Sequence, residues 1–199
     1  MSMHRWLIPA LTLVLGACTS SPAPRYFRLA PSDTVTDPAT GTATDTATAT
    51  GGAAVVVGPF EFPEYLDRPQ LVTRQPPNGL SIADYERWAE PLAANFQSVV
   101  AANAARLLGS DQVLEFPAGS IVAGARRVTG RVLAFDVDTG GRAVLEVQWG
   151  VVDATGAALR PARVSRHEAR ATGRDAAARV AALNATVDAF SAEVAAALR

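Results

Sequence analysis

Six large apolar residues near the end of the chain, Val180, Leu183, Val187, Phe190, Val194 and Leu198, recur at steps of three and four. That spacing predicts an amphipathic helix over 175–198 packed on a sheet. Its polar side carries Arg179, Asn184, Asp188 and Glu193, which is not the basic face of an interfacial membrane helix. A second periodic set, Leu92, Phe96, Val99, Val100, Ala104, Leu107 and Leu108, predicts a helix. It opens near Glu90, with Pro91 where a missing N–H costs nothing, and stops at Gly109.

Between and before the helices the pattern becomes that of strands. Ala143, Leu145, Val147, Trp149 and Val151 alternate with polar positions over 142–152, which predicts a strand with one buried face. It is entered from a strand over 128–137 through a hairpin turn at Asp138-Thr139-Gly140-Gly141. Residues 157–170 follow a second turn and hold Pro161 and several arginines, as an edge strand does. Shorter extended runs fall at 25–29, 54–60, 70–74 and 112–116, with Pro76-Pro77-Asn78-Gly79 ending the third. The expected fold is α/β, or α+β by element order: a mixed, largely antiparallel sheet of about five or six strands packed with two long helices.

Composition narrows the class. With 199 residues there is room for one domain and some unstructured chain. Forty residues are alanine, so bulky core formers are fewer than the 49% hydrophobic content implies. All 18 basic residues are arginine, which removes lysine Schiff-base chemistry and the phosphate-loop lysine. A net charge of −1 gives no reason to expect nucleic-acid binding.

The start of the chain has its own logic. Arg5, the apolar run from Leu7 to Leu15 and the small residues before Cys18 predict a signal peptide over 1–17, too short to remain as a spanning helix. Leu15-Gly16-Ala17-Cys18 resembles a bacterial lipobox, which makes Cys18 the expected lipidation site. Residues 18–24 then form a tether, and several acyl chains on one cysteine make a durable anchor. Thr19 after the cysteine, where aspartate would retain a lipoprotein in the inner membrane, resembles an outer-membrane sorting pattern facing the periplasm. Residues 33–52 are rich in Thr, Ala, Asp and Gly and are expected to be a disordered insertion in a single domain over 25–199. Should 25–29 fail to pair into the sheet, 19–52 would be one long tether.

Chemistry-bearing side chains are sparse. With Cys18 spent on lipid and His167 the one histidine beyond the signal, neither a zinc cluster nor a Cys-His pair can be assembled, so no catalytic residue, metal site or cofactor is expected. His167 reads as a solvated strand residue. Asp136 and Asp138 share a strand face but read as solvating a hairpin end, because nothing implies the cleft an acid pair requires. Arg160, Arg163, Arg166, Arg170, Arg174 and Arg179 form a locally basic edge, read either as a soluble edge strand or as a docking face for an acidic surface.

Two stretches are more particular than propensity requires: Pro63-Glu64-Tyr65-Leu66-Asp67-Arg68-Pro69-Gln70-Leu71-Val72 and Arg87-Trp88-Ala89-Glu90-Pro91-Leu92. Together with the lipobox, an early Arg-Tyr-Phe run, Val57-Gly58-Pro59 and a final alanine-rich helix, they resemble the PqiC/YmbA-type lipoproteins, the ABC-type transport auxiliary lipoproteins. Glu86 stands where that family has histidine, which weakens any role for position 86. The resemblance implies a fold similar to the amino-terminal domain of TolB-like proteins. It also implies a non-enzymatic outer-membrane lipoprotein working with an MCE-domain protein in intermembrane lipid transport, and self-association into a homo-oligomer is compatible with that role.

For the motifs two roles stay open. Arg68 reaching Glu90 under the cover of Trp88 would fix the angle between strand and helix. Alternatively Tyr65, Leu66, Arg68, Arg87 and Trp88 form a partner-binding surface. Asp67, Pro69, Gln70 and Pro91 belong to the same motifs. Rival functions are a free-standing periplasmic lipid-binding module and, less favoured by the residues, an envelope hydrolase.

Overall fold

The computed structural model describes residues 22–32, 53–118 and 124–199. The signal peptide, Cys18 and the 33–52 insertion lie outside the described residues. In chain order the elements are β1 (Arg25–Phe27), β2 (Val55–Glu61), a 3-10 turn (Glu64–Leu66), β3 (Gln70–Gln75), β4 (Gly79–Trp88) and α1 (Leu92–Leu108). They continue with β5 (Val113–Glu115), β6 (Arg126–Asp138), β7 (Arg142–Val152), β8 (Ala158–Arg170) and α2 (Ala176–Leu198).

All eight strands join one sheet, two or three more than expected. β4 is the strand the pattern did not reveal. Its register against β3 breaks between Gln70 and Val72, and most of its residues are exposed, so the period-2 signal of a half-buried strand is lost. The Pro76–Gly79 cluster therefore turns a hairpin and does not merely end β3. The long β6–β7 and β7–β8 ladders are antiparallel, as is β3–β4, while short parallel ladders attach β1 to β4, and β2 and β3 to β6.

Both helices cover one face of the sheet. The core between them is an aromatic cluster in which Phe96 stands edge-on to Phe60 and Phe62 at 5.3 Å, and Trp149 meets Phe190 at 5.5 Å. Every large residue of the predicted α2 face is buried. α2 is long and apolar enough to cross a membrane, yet Val187, Phe190 and Val194 are fully enclosed against sheet and α1. Asp175 caps it by accepting from Ala178 N–H at 2.7 Å. α1 begins at Leu92, with Pro91 as its capping residue, and ends at Gly109, whose φ of 59° supplies the left-handed stop. Leu107 and Leu108 are only half-buried.

Candidate functional site

β2 and β3 lie along the same edge of β6. β2 pairs with 126–131, β3 rejoins at Val137 and Asp138, and the first of the two motifs, Pro63 to Val72, begins as the detour between them. In that detour Leu66 turns into the core and Tyr65 is half-buried. The turn is closed by main-chain bonds from Asp67 N–H to Glu64 O at 3.1 Å and from Arg68 N–H to Leu66 O at 2.8 Å. Asp67 and Pro69 are exposed, and Gln70 opens β3 opposite Arg87.

The second motif sits beside the first. Trp88 N–H donates to Pro69 O at 2.6 Å, and its ring is buried with Leu66, Leu71 and Leu92. The expected Arg68–Glu90 pair does not form. Glu90 is exposed just before the helix, and the buried Nε of Arg68 has no partner, nor does the buried Nε of Arg87. The two motifs are joined through main chain, and Trp88 fills the core instead of covering an ion pair. Glu86 accepts from Arg25 of β1 at 2.5 Å.

β1 is followed by a strap, residues 28–32, that crosses the helices. A segment with no strand neighbour must find other partners for its backbone, and three asparagines supply them. Asn95 accepts from Leu29 N–H at 2.7 Å and donates back to Leu29 O at 3.2 Å. Asn184 accepts from Ala30 N–H at 2.8 Å, and Asn103 accepts from Ser32 N–H at 3.2 Å. Asn103 also donates to Asp188 at 2.8 Å. Burial pushes the Asp188 carboxyl up, against the hydrogen bonds from Asn103, Asn184 and Ser32. No periodicity singled out Asn95 or Asn103; the available signal was an asparagine on an otherwise apolar helix face.

The opposite, helix-free face of the sheet holds a charge network. Arg74 Nε donates to the buried Asp136 at 2.7 Å, and the Tyr65 hydroxyl reaches the same carboxylate at 3.4 Å. Burial first, and then the Asp136 charge, push the Tyr65 phenol up to about 12. Asp136 is thus an enclosed partner of Arg74 and not a solvating hairpin residue. Asp138 does cap the hairpin, accepting from Gly140 N–H and Arg142 N–H, both at 2.9 Å. Burial opposes its charge, but those bonds and the Arg142 guanidinium hold its carboxyl below the usual range.

His167 also departs from its expected place. It faces α2, with Nε2 3.0 Å from Glu193 and its ring against Phe190. Ser165 donates to the other Glu193 oxygen at 2.8 Å while accepting from Trp149 Nε1. The order is Ser–Glu–His, so the imidazole does not stand beside the hydroxyl as a nucleophile's base must. Arg163 joins Glu193 at 3.1 Å and lies over the Trp149 ring at 4.4 Å. Chemically this cluster clamps β8 to α2.

The model for the ABC-type transport auxiliary lipoprotein component matches residues 34–195. No curated protein matches the chain in sequence. Among solved structures, an uncharacterized protein is similar at a TM-score of 0.70 and 18% identity, over 89% of this chain and 100% of that one. A Xanthomonas campestris protein assigned to DUF330 is similar at a TM-score of 0.61 and 16% identity, over 89% of this chain and 94% of that one.

Proposed function

The chain belongs to the ABC-type transport auxiliary lipoprotein family, and from that premise we propose that it is an outer-membrane, periplasm-facing, non-enzymatic subunit of an MCE-type intermembrane lipid transport system. Acylated Cys18 anchors it, and the folded body acts by docking. The observation that carries a docking role over a lipid-carrying one is the filled interior. Among the described residues the gap in the core among Leu66, Leu71, Trp88, Leu92, Phe135 and Leu183 amounts to about 10 Å³, space for a water molecule and not for an acyl chain, and the larger hollows, of about 200 to 570 Å³, open to solvent along β7–β8 and beside the 138–141 turn. Self-association of several copies around the conduit fits the same role.

The test is affinity isolation of the full lipoprotein from gently solubilised envelopes. Recovery of an MCE-domain protein is the expected result. Its absence, under conditions that keep the transport complex intact, counts against the proposal. Labelled palmitate should enter the parent and not Cys18→Ala. Stoichiometric phospholipid bound to the isolated protein would favour the lipid-binding alternative, and turnover of a defined substrate the hydrolase.

A further inference from the structure

The register across β1, β4 and β3 places one set of side chains on the helix-free face. Leu80 stands opposite Arg74, and Arg74 points to Asp136 on that face; Ile82 stands opposite Val72, two residues away on the same side of β3. Tyr26 is opposite Arg87, which is opposite Gln70, again on that side. The result is a strip of exposed apolar surface at the sheet edge: Tyr26 is 62% exposed, Leu80 and Ile82 46% each, and nearby Tyr85 38%.

Nothing described in the fold covers this strip. β1 pairs only with 86–88 of β4, so the outer edge of 79–85 is unpaired among the described residues. Contiguous exposed apolar residues mark a contact surface. The chain itself indicates with what. Tyr26 lies eight positions after Cys18, a reach of about 28 Å even when fully extended. The asparagine-fastened strap holds β1 in position, so a lipid anchor on Cys18 keeps this edge near the bilayer.

We infer that the Tyr26–Leu80–Ile82–Tyr85 edge rests in the interfacial zone of the membrane that carries the anchor. This rests on the lipidation of Cys18 proposed above. Tyrosine suits that zone, having an apolar ring and a polar tip. The unpaired edge N–H and C=O groups of β4 limit the contact to the hydrated headgroup layer, since hydrocarbon would leave them unsatisfied. Exposed Arg28, next to β1, offers a donor to lipid phosphates. Glu86 on β4 is neutralised by Arg25.

The experiment uses the full mature lipoprotein in vesicles of phosphatidylethanolamine and phosphatidylglycerol. Ile82→Cys and, separately, Val164→Cys on the distant β8 edge carry a polarity-sensitive fluorophore, and spin-labelled lipid serves as quencher. Acylated Cys18 offers no competing thiol. Both sites are exposed, so substitution leaves the core untouched. The expected result is blue-shifted emission at 82 and quenching there several-fold stronger than at 164. Equal, water-like signals on protein that floats with the vesicles would overturn the inference while leaving the anchor intact. Protein that fails to float would remove the anchor, and the inference with it. Shielding of 82 that appears only when a second protein is added would assign the edge to a protein partner instead.

Discussion

On the helix-free face around β6 to β8, Arg74, Arg142 and Arg166 each meet a carboxylate, whereas at the β1–β4 end of the same sheet Arg68 and Arg87 keep a buried Nε without a partner. In the first group each guanidinium is neutralised by a carboxylate; in the second neither Arg68 nor Arg87 has one among the described residues, and Tyr26, Leu80 and Ile82 of the same edge stand exposed. Both are parts of one continuous sheet, so the difference lies in what the neighbouring strands offer. Long antiparallel ladders bring residues far apart in the chain into opposite-charge register, while β1 and β4 form a sparsely paired edge.

The sharpest way to break this contrast is to unpair the closed region. Arg74→Ala leaves the Asp136 carboxylate, 4% exposed, without its cation and should cost about 3–5 kcal/mol, read as a lowered urea midpoint. Changing both partners to apolar residues of similar volume should recover much of that loss. A smaller effect is expected where the open region is fastened. Asn95→Ala removes two bonds to the Leu29 main chain, each worth about 1 kcal/mol. Faster amide exchange across 27–32 and tryptic cleavage after Arg28 would report the loosened strap, while unchanged protection would show that the other asparagines suffice.

Asp188→Asn tests the strap by pH. Burial raises the folded-state pKa of Asp188 above its unfolded value, so its favourable contribution is complete below the unfolded carboxylate range, near 4, and is lost as pH rises through the raised folded value. The difference in urea midpoint between variant and parent should therefore move in the variant's favour from pH 4 to 7. Asp138, whose pKa is lowered, behaves oppositely: its stabilisation is present above the unfolded value and fades on acidification. The smallest effects belong to the unpaired arginines. Arg68→Met and Arg87→Met break no side-chain bond among the described residues and should change stability by less than about 1 kcal/mol. A large loss at either position would mean that the open region is held together as firmly as the closed one.

Much of this was legible in the chain itself. The spacing of Val180 through Leu198 and of Leu92 through Ala104 determined both helices and their buried faces, because a 3.6-residue period leaves a stripe that only a core can cover. The alternation from Ala143 to Val151 determined which side of β7 faces inward. The two motifs pointed to the family, but not to their own geometry. Tertiary structure alone decided that Arg68 ignores Glu90, that Asp136 is enclosed by Arg74 and Tyr65, that His167 turns toward Glu193, and that three asparagines hold the strap. Each of these depends on residues far apart in sequence arriving at one place, and a local pattern of hydrophobic and polar positions carries no record of which polar partner will be there.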